Sequence, residues 1–238
     1  VRGGYVWFVG ANSGHVDFMR ATPNETYTEF TWTAPFRVYT EREGRTHGYP
    51  DLEVRESGED WIVPVAWSLV SSEPSSNAVT CDRVTVTASG SVTRAAGWIT
   101  WYGVSEFTVP CLTRDDAGNI LCVWKTGRTG EGYGVRARML PADSLAWGSL
   151  ETVTASYNPS GVHLTCSAAP DGSRHYVGFK TTSNMRFFAR TPDGTWTQLP
   201  VLPAVGDISV LADKDGNLWC AYTSSGLHLQ KYDPILGQ

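Results

Sequence analysis

Four segments of this chain repeat one design. Glu56-Ser57-Gly58-Glu59 precedes Trp61–Ser68, and Asp116-Ala117-Gly118-Asn119 precedes Ile120–Thr126. Likewise Pro170-Asp171-Gly172-Ser173 precedes His175–Thr181, and Lys214-Asp215-Gly216-Asn217 precedes Leu218–Ser224. Each is an acidic glycine turn that opens an apolar, aromatic-bearing run, and the turns recur at intervals of 44 to 60 residues. Glycine supplies the backbone angles a tight turn needs, and the run that follows suits a half-buried strand. Recurrence at this period marks a repeat architecture in which each unit buries its apolar face on the next.

The strand pattern within a unit is legible. Around Gly118, Phe107–Arg114, Ile120–Thr126, Tyr133–Leu140 and Trp147–Val153 form four successive antiparallel strands. The same order fits Val162–Pro200 and, with a longer loop at Ser71–Asn77, Asp51–Trp101. A basic residue shortly before proline closes the third strand of four units, as Arg20-Ala-Thr-Pro23, Arg138-Met-Leu-Pro141, Arg190-Thr-Pro192 and Lys231-Tyr-Asp-Pro234. Proline cannot donate to the sheet ladder, so it ends the strand. Four antiparallel strands per unit predict an all-β fold, a β-propeller with five recognisable blades near residues 1–35, 47–101, 105–155, 160–203 and 205–238. The first and last blades are each one strand short. Their unpaired edges leave two readings: the chain closes five blades in an unorthodox way, or, the favoured one, it is a segment of a longer protein whose other domains or subunits complete the ring or the assembly.

Composition narrows the function classes. Ten Trp, ten Tyr and eight Phe match a strand-rich chain, and no apolar run approaches the about 18 residues a membrane helix requires. A net charge of −5 argues against nucleic acid as the partner. The five cysteines, Cys81, Cys111, Cys122, Cys166 and Cys220, show no CxxC spacing and read as buried free thiols, so neither a metal nor another cofactor is expected.

Thr191-Pro192-Asp193-Gly194-Thr195-Trp196 joins a third strand to a fourth. It resembles the Asp-box of the BNR/sialidase-like propellers, Ser/Thr-x-Asp-x-Gly-x-Thr-Trp, although one residue is missing on each side of Gly194. That box is structural in the family and implies a fold rather than an activity.

In a propeller, the starts of the innermost strands and the loops between second and third strands share one mouth, where ligands bind. The expected mouth holds Asn12, His15, Asn77, Arg128, Tyr133, Asn184 and His228 around Asp51, Glu106, His163 and Asp207. Amides, a guanidinium and aromatic planes suit sugar hydroxyls and pyranose faces, although solvated loops carry the same residue types. The primary expectation is a glycan-binding or adhesion module of an extracellular or virion-surface protein, such as a tail fibre. The alternative is a carbohydrate-active enzyme. A hydrolase would use Asp51 and Glu106 as paired carboxylates, and a polysaccharide lyase would use His47 and Tyr49. The arrangement is similar to that of five-bladed furanosidase-type hydrolases, which implies an Asp, Asp, Glu set entering from the first three blades. The first unit lacks the inner strand that would carry the first Asp. A non-catalytic scaffold is the third reading, in which Tyr49-Pro50 shapes a turn and Asp51 or Asp207 bonds nearby backbone.

Overall fold

The computed structural model describes residues 4–12, 15–40, 45–71, 77–102, 109–128, 132–157, 159, 164–203, 206–223 and 225–233. Among these every regular element is a strand. The chain forms two compact units, Val1–Glu106 and Phe107–Gln238.

The first unit holds two sheets. One comprises β1 (Val6–Asn12), β2 (His15–Pro23), β3 (Phe30–Trp32) and β4 (Phe36–Thr40), with β3 and β4 pairing successive parts of β2. The fourth-strand position is therefore filled by two short strands, and it extends past the expected end of this repeat at residue 35. The second sheet comprises β5 (Arg45–Leu52), β6 (Arg55–Ser57), β7 (Asp60–Ser71), β8 (Ala78–Val86) and β9 (Val92–Tyr102). Here β5 and β6 share the flank of β7. Val16, Phe18, Val38, Val63, Val65, Trp67 and Val84 form the core of this unit.

The second unit holds three sheets. The first is β10 (Cys111–Arg114), β11 (Ile120–Arg128), β12 (Gly132–Leu140) and β13 (Glu151–Thr154). The next is β14 (Leu164–Ala168), β15 (His175–Lys180), β16 (Asn184–Arg190), β17 (Trp196–Gln198) and β18 (Leu202–Pro203). The last is β19 (Ile208–Ala212), β20 (Leu218–Thr223) and β21 (Leu227–Tyr232). The middle sheet feeds two cores because its side chains alternate between faces. Val177, Phe179 and Phe188 pack with Leu121, Val123 and Val135, while Tyr176, Met185, Phe187 and Ala189 pack with Ile208, Val210 and Leu218. Burial on both faces explains why β15 and β16 read as nearly continuous apolar runs. Hydroxyls add cross-sheet ties: Ala212 N donates to Ser167 Oγ at 2.8 Å, and Tyr176 OH donates to the carbonyl of Gly216.

Several glycine turns share one construction, while the Gly58 turn is a two-residue hairpin in which Ser57 pairs with Asp60. In Asp115–Asn119, Thr191–Thr195 and Asp213–Asn217 the first N–H donates to the fifth carbonyl, and the glycine N–H returns to the first carbonyl. Thr87–Ser91, whose turn character the sequence reading missed, closes identically, and Ala169–Arg174 is one residue longer. Gly118 takes φ 94° and Gly216 φ 79°, a left-handed conformation that L side chains disfavour. Aspartate caps the turn: Asp115 Oδ1 accepts from Asn119 N at 2.9 Å, and Asp213 repeats this with Asn217. Asp213 also accepts from Trp219 Nε1 at 2.9 Å. These donors, led by the Trp219 indole, hold the Asp213 carboxyl well below the usual carboxylate range.

The basic residue before proline also gains a physical role. Arg20 lies 4.3 Å above the Tyr5 ring with Trp7 and Trp61 nearby. Arg190 forms a two-point pair with Glu151, and Lys231 sits over Trp219. Each cation is pinned near the end of its third strand by an aromatic ring or a carboxylate from another strand.

Candidate functional site

Among the described residues two non-glycines take a left-handed backbone, Tyr27 in the loop before β3 and Tyr49 in β5. Gly48 pairs with Ser68 and Asp51 with Ala66, so Tyr49 and Pro50 together oppose Trp67. This is a β-bulge. Pro50 has no N–H to lose there, and Tyr49 takes φ 51°, a left-handed conformation that costs a non-glycine residue about 1–2 kcal/mol. Ser68 Oγ donates to Gly48 O at 2.9 Å and fixes the strand just before the bulge. The consequence is display. Tyr49 is 46% exposed despite sitting within a strand, and the next carboxylate, Asp51, is half-buried with Oδ1 accepting from Leu52 N at 2.9 Å.

Asp51 was expected at the start of an inner strand, but β5 begins at Arg45, six positions earlier. In the scaffold reading Tyr49-Pro50 shapes a turn; in the structure the pair forms a bulge inside the strand. The bulge absorbs the proline, so the strand continues through it. Beneath it, Trp67 is buried with Tyr39 tilted across it at 5.6 Å between centroids. Trp67 Nε1 has no hydrogen-bond partner among the described residues.

The remaining expected residues separate. His15 is half-buried opposite Thr40, with Nδ1 enclosed and unpartnered among the described residues. Asn77, expected on an open rim, is only 2% exposed because it leads directly into the buried strand β8. Asn184 closes a turn in which Thr181 Oγ1 accepts from Asn184 N at 3.0 Å and donates to Asn184 O at 2.9 Å. Asp207 is exposed, and its backbone is pinned to Thr223. His228 stacks on Tyr222 with centroids 5.0 Å apart and planes at 13°. Because Ile208 pairs with Tyr222 and Tyr222 with His228, the register brings Asp207, Tyr222 and His228 to one end of the last sheet. That end presents the exposed His228 stacked on Tyr222, an aromatic surface of the kind that packs on a sugar face.

The backbones of Asn12, His47, Arg128 and Tyr133 lie on strands opposite His15, Leu69, Gly132 and Gly127 respectively. Their side chains lie outside what the structure describes, as do Glu106 and His163 entirely.

A second site went unread in the sequence. The glycine turns of the first two sheets of the second unit enclose a hollow of about 370 Å³ lined by residues including Asp115, Asn119, Glu151, Gly172, His175 and Arg190. His175 is 2% exposed, and neither ring nitrogen has a hydrogen-bond partner among the described residues. Burial is the largest influence on it and pushes its pKa from 6.5 down to about 4, against the opposing pull of Asp115. The approach of its Nε2 to Asp115 Oδ2, 3.9 Å, is therefore not an ion pair at neutral pH. Glu151 is engaged by Arg190 through both carboxylate oxygens and by Trp196 Nε1 at 2.9 Å. Arg190 was visible as a member of the basic-before-proline signature. His175 carried no signal beyond its place after a glycine turn.

No family model and no curated protein sequence matches this chain. Solved structures do. An α-L-arabinanase from Penicillium chrysogenum, complexed with arabinobiose, is similar with a TM-score of 0.58 at 12% identity, over 97% of this chain and 72% of that one. An α-L-arabinofuranosidase from Lactobacillus brevis gives 0.53 at 10% identity, over 99% and 89%. An endo-arabinase from Bacteroides thetaiotaomicron VPI-5482 gives 0.52 at 14% identity, over 96% and 88%. At these identities the likeness shows the fold, an all-β propeller architecture of antiparallel sheets, here of three to five strands. The sialidase-like family anticipated from Thr191–Trp196 is not part of what this likeness shows.

Proposed function

We propose that this chain is a carbohydrate-active propeller and that it cleaves glycosidic bonds. The observation that carries the reading is the β5 bulge, which holds Tyr49 exposed in a left-handed conformation and sets Asp51 directly after it. Strain of this kind persists where the surrounding structure maintains it, and it concentrates at ligand sites. The fold likeness to arabinan-cleaving enzymes supports the choice of chemistry over a purely adhesive role.

In this reading Tyr49 packs against the face of a sugar ring and Asp51 is one of two carboxylates flanking the scissile bond. One carboxyl group protonates the leaving oxygen, while the other activates water or attacks the anomeric carbon. Glu106, taken from its sequence position, is the second carboxylate. The test is release of reducing ends from linear and branched arabinan and from arabino-oligosaccharides. Asp51→Asn is expected to lower turnover by roughly 10²- to 10⁴-fold with its melting temperature unchanged. No release by the wild-type chain from any of these substrates, or full activity in the variant, overturns the hydrolase reading.

A glycan-binding module without turnover is the second reading, and the exposed His228 stacked on Tyr222 favours it. Saturable glycan binding that His228→Ala weakens, in the absence of product, identifies that case.

A further inference from the structure

Two of the five cysteines differ from the rest. Cys81 and Cys122 are fully enclosed, and burial pushes the Cys220 thiol up to about 11, so these three behave as inert apolar fillers. Cys111 and Cys166 are only half-buried. They lie 55 positions apart in sequence, on β10 and β14, the first strands of two adjacent sheets in the second unit. Their sulfurs are 2.7 Å apart. That is closer than the about 3.5–4.0 Å at which non-bonded carbon atoms settle, and within about 0.7 Å of a bonded sulfur pair. Neither is part of a disulfide in the structure.

We propose that Cys111 and Cys166 form an oxidisable pair that closes to a disulfide and staples the first strands of the two sheets. A disulfide oxidant such as oxidised glutathione suffices. One thiol, as thiolate, attacks a glutathione sulfur, forms a mixed disulfide and releases one reduced glutathione. The second thiolate then attacks the protein sulfur of that mixed disulfide and releases the second glutathione. The two protein thiols are oxidised, two molecules of reduced glutathione form, and the two thiol protons end on them. The pair is preorganised because each cysteine sits on a strand within a hydrogen-bonded ladder: Cys111 pairs with Val123 and Cys166 with Val177. Closing the bond therefore needs a small adjustment between strands rather than rearrangement of a loop. Cross-linking residues so distant in sequence restricts the unfolded chain strongly.

The experiment incubates the purified chain with oxidised glutathione and counts thiols after denaturation. The expected count falls from five to three, and non-reducing peptide mapping finds the Cys111 and Cys166 peptides joined and lighter by two hydrogens. The oxidised protein should unfold at a higher urea concentration than the reduced one, and dithiothreitol should reverse the shift. Cys111→Ser should show no joined cysteine peptides after the same treatment, its only oxidised thiols being glutathione adducts that mapping identifies by their added mass. Retention of all five thiols in the wild type, or joining of any other cysteine pair, overturns the proposal. Peptide mapping of the wild type decides the matter even if the variant does not fold.

Discussion

His175 gives the fold a built-in sensitivity to acid. Its imidazole is enclosed with Asp115, Glu151 and Arg190 as the charged groups around it, and burial outweighs the carboxylates in setting its protonation. In the unfolded chain the ring takes up a proton near pH 6.5, whereas in the fold it resists protonation until about pH 4. Between these values the unfolded state binds more protons, so stability falls as the pH falls. The full contribution is present above pH 6.5, and its loss is complete near pH 4. A shift of this size corresponds to about 3 kcal/mol. The assay is urea unfolding followed by tryptophan fluorescence at pH 7.5, 6.5, 5.5 and 4.5, on the wild type and on His175→Gln. Glutamine keeps polarity and approximate size but cannot titrate, and the other carboxylates affect both proteins alike. The wild type should lose roughly 2 kcal/mol more than the variant between pH 6.5 and 4.5. Superimposable pH dependences in the two proteins would refute the burial argument.

Other substitutions test other parts of the account. Tyr49→Gly should raise stability by up to about 1 kcal/mol by removing left-handed strain, yet reduce arabinan turnover, as read by thermal melting and reducing-end release. Glu151→Gln weakens the two-point contact with Arg190, and should cost about 2 kcal/mol in urea unfolding. A β-carbon added at Gly134 would collide with the Thr154 carbonyl oxygen, so Gly134→Ala should cost about 3 kcal/mol or prevent soluble folding. Gly58→Ala meets no atom within 4 Å and suffers only its φ of 64°, about 1 kcal/mol. Comparable melting temperatures for the two glycine variants would contradict the steric argument.

The sheets were legible in the sequence because turns and strands are local. Glycine with an Asp or Asn neighbour dictates a left-handed turn position, and β-type runs follow it, so β11, β15, β16 and β20 lie close to their expected places. The proline rule worked for the same reason: β12 ends at Leu140 and β16 at Arg190, each just before its proline turn. Sites are not local. His175, Asp115, Glu151 and Arg190 come from different turns and strands, and only packing of two sheets brings them to one hollow. The bulge at Tyr49 escaped because Tyr-Pro before an acid reads equally well as a turn, and only the pairing of Gly48 and Asp51 with β7 distinguishes the two. Asn77 looked like a rim residue by type, and its burial follows from the strand it introduces. Cys111 and Cys166 were sorted with the other thiols because spacing alone shows no proximity across 55 positions.

Every sheet described here is drawn from one uninterrupted stretch of chain, and most of its strands pair with their immediate successor. This has a consequence for how the protein is made. Pairing a strand with its immediate successor closes a short loop, and hairpins form in microseconds. Each sheet can therefore begin to assemble as soon as its own residues have left the ribosome, with no need for distant partners. What remains slow is the docking of finished sheets, since the apolar faces of β15 and β16 stay uncovered until both neighbouring sheets exist. That interval, rather than strand formation, is where the nascent chain is most exposed to aggregation.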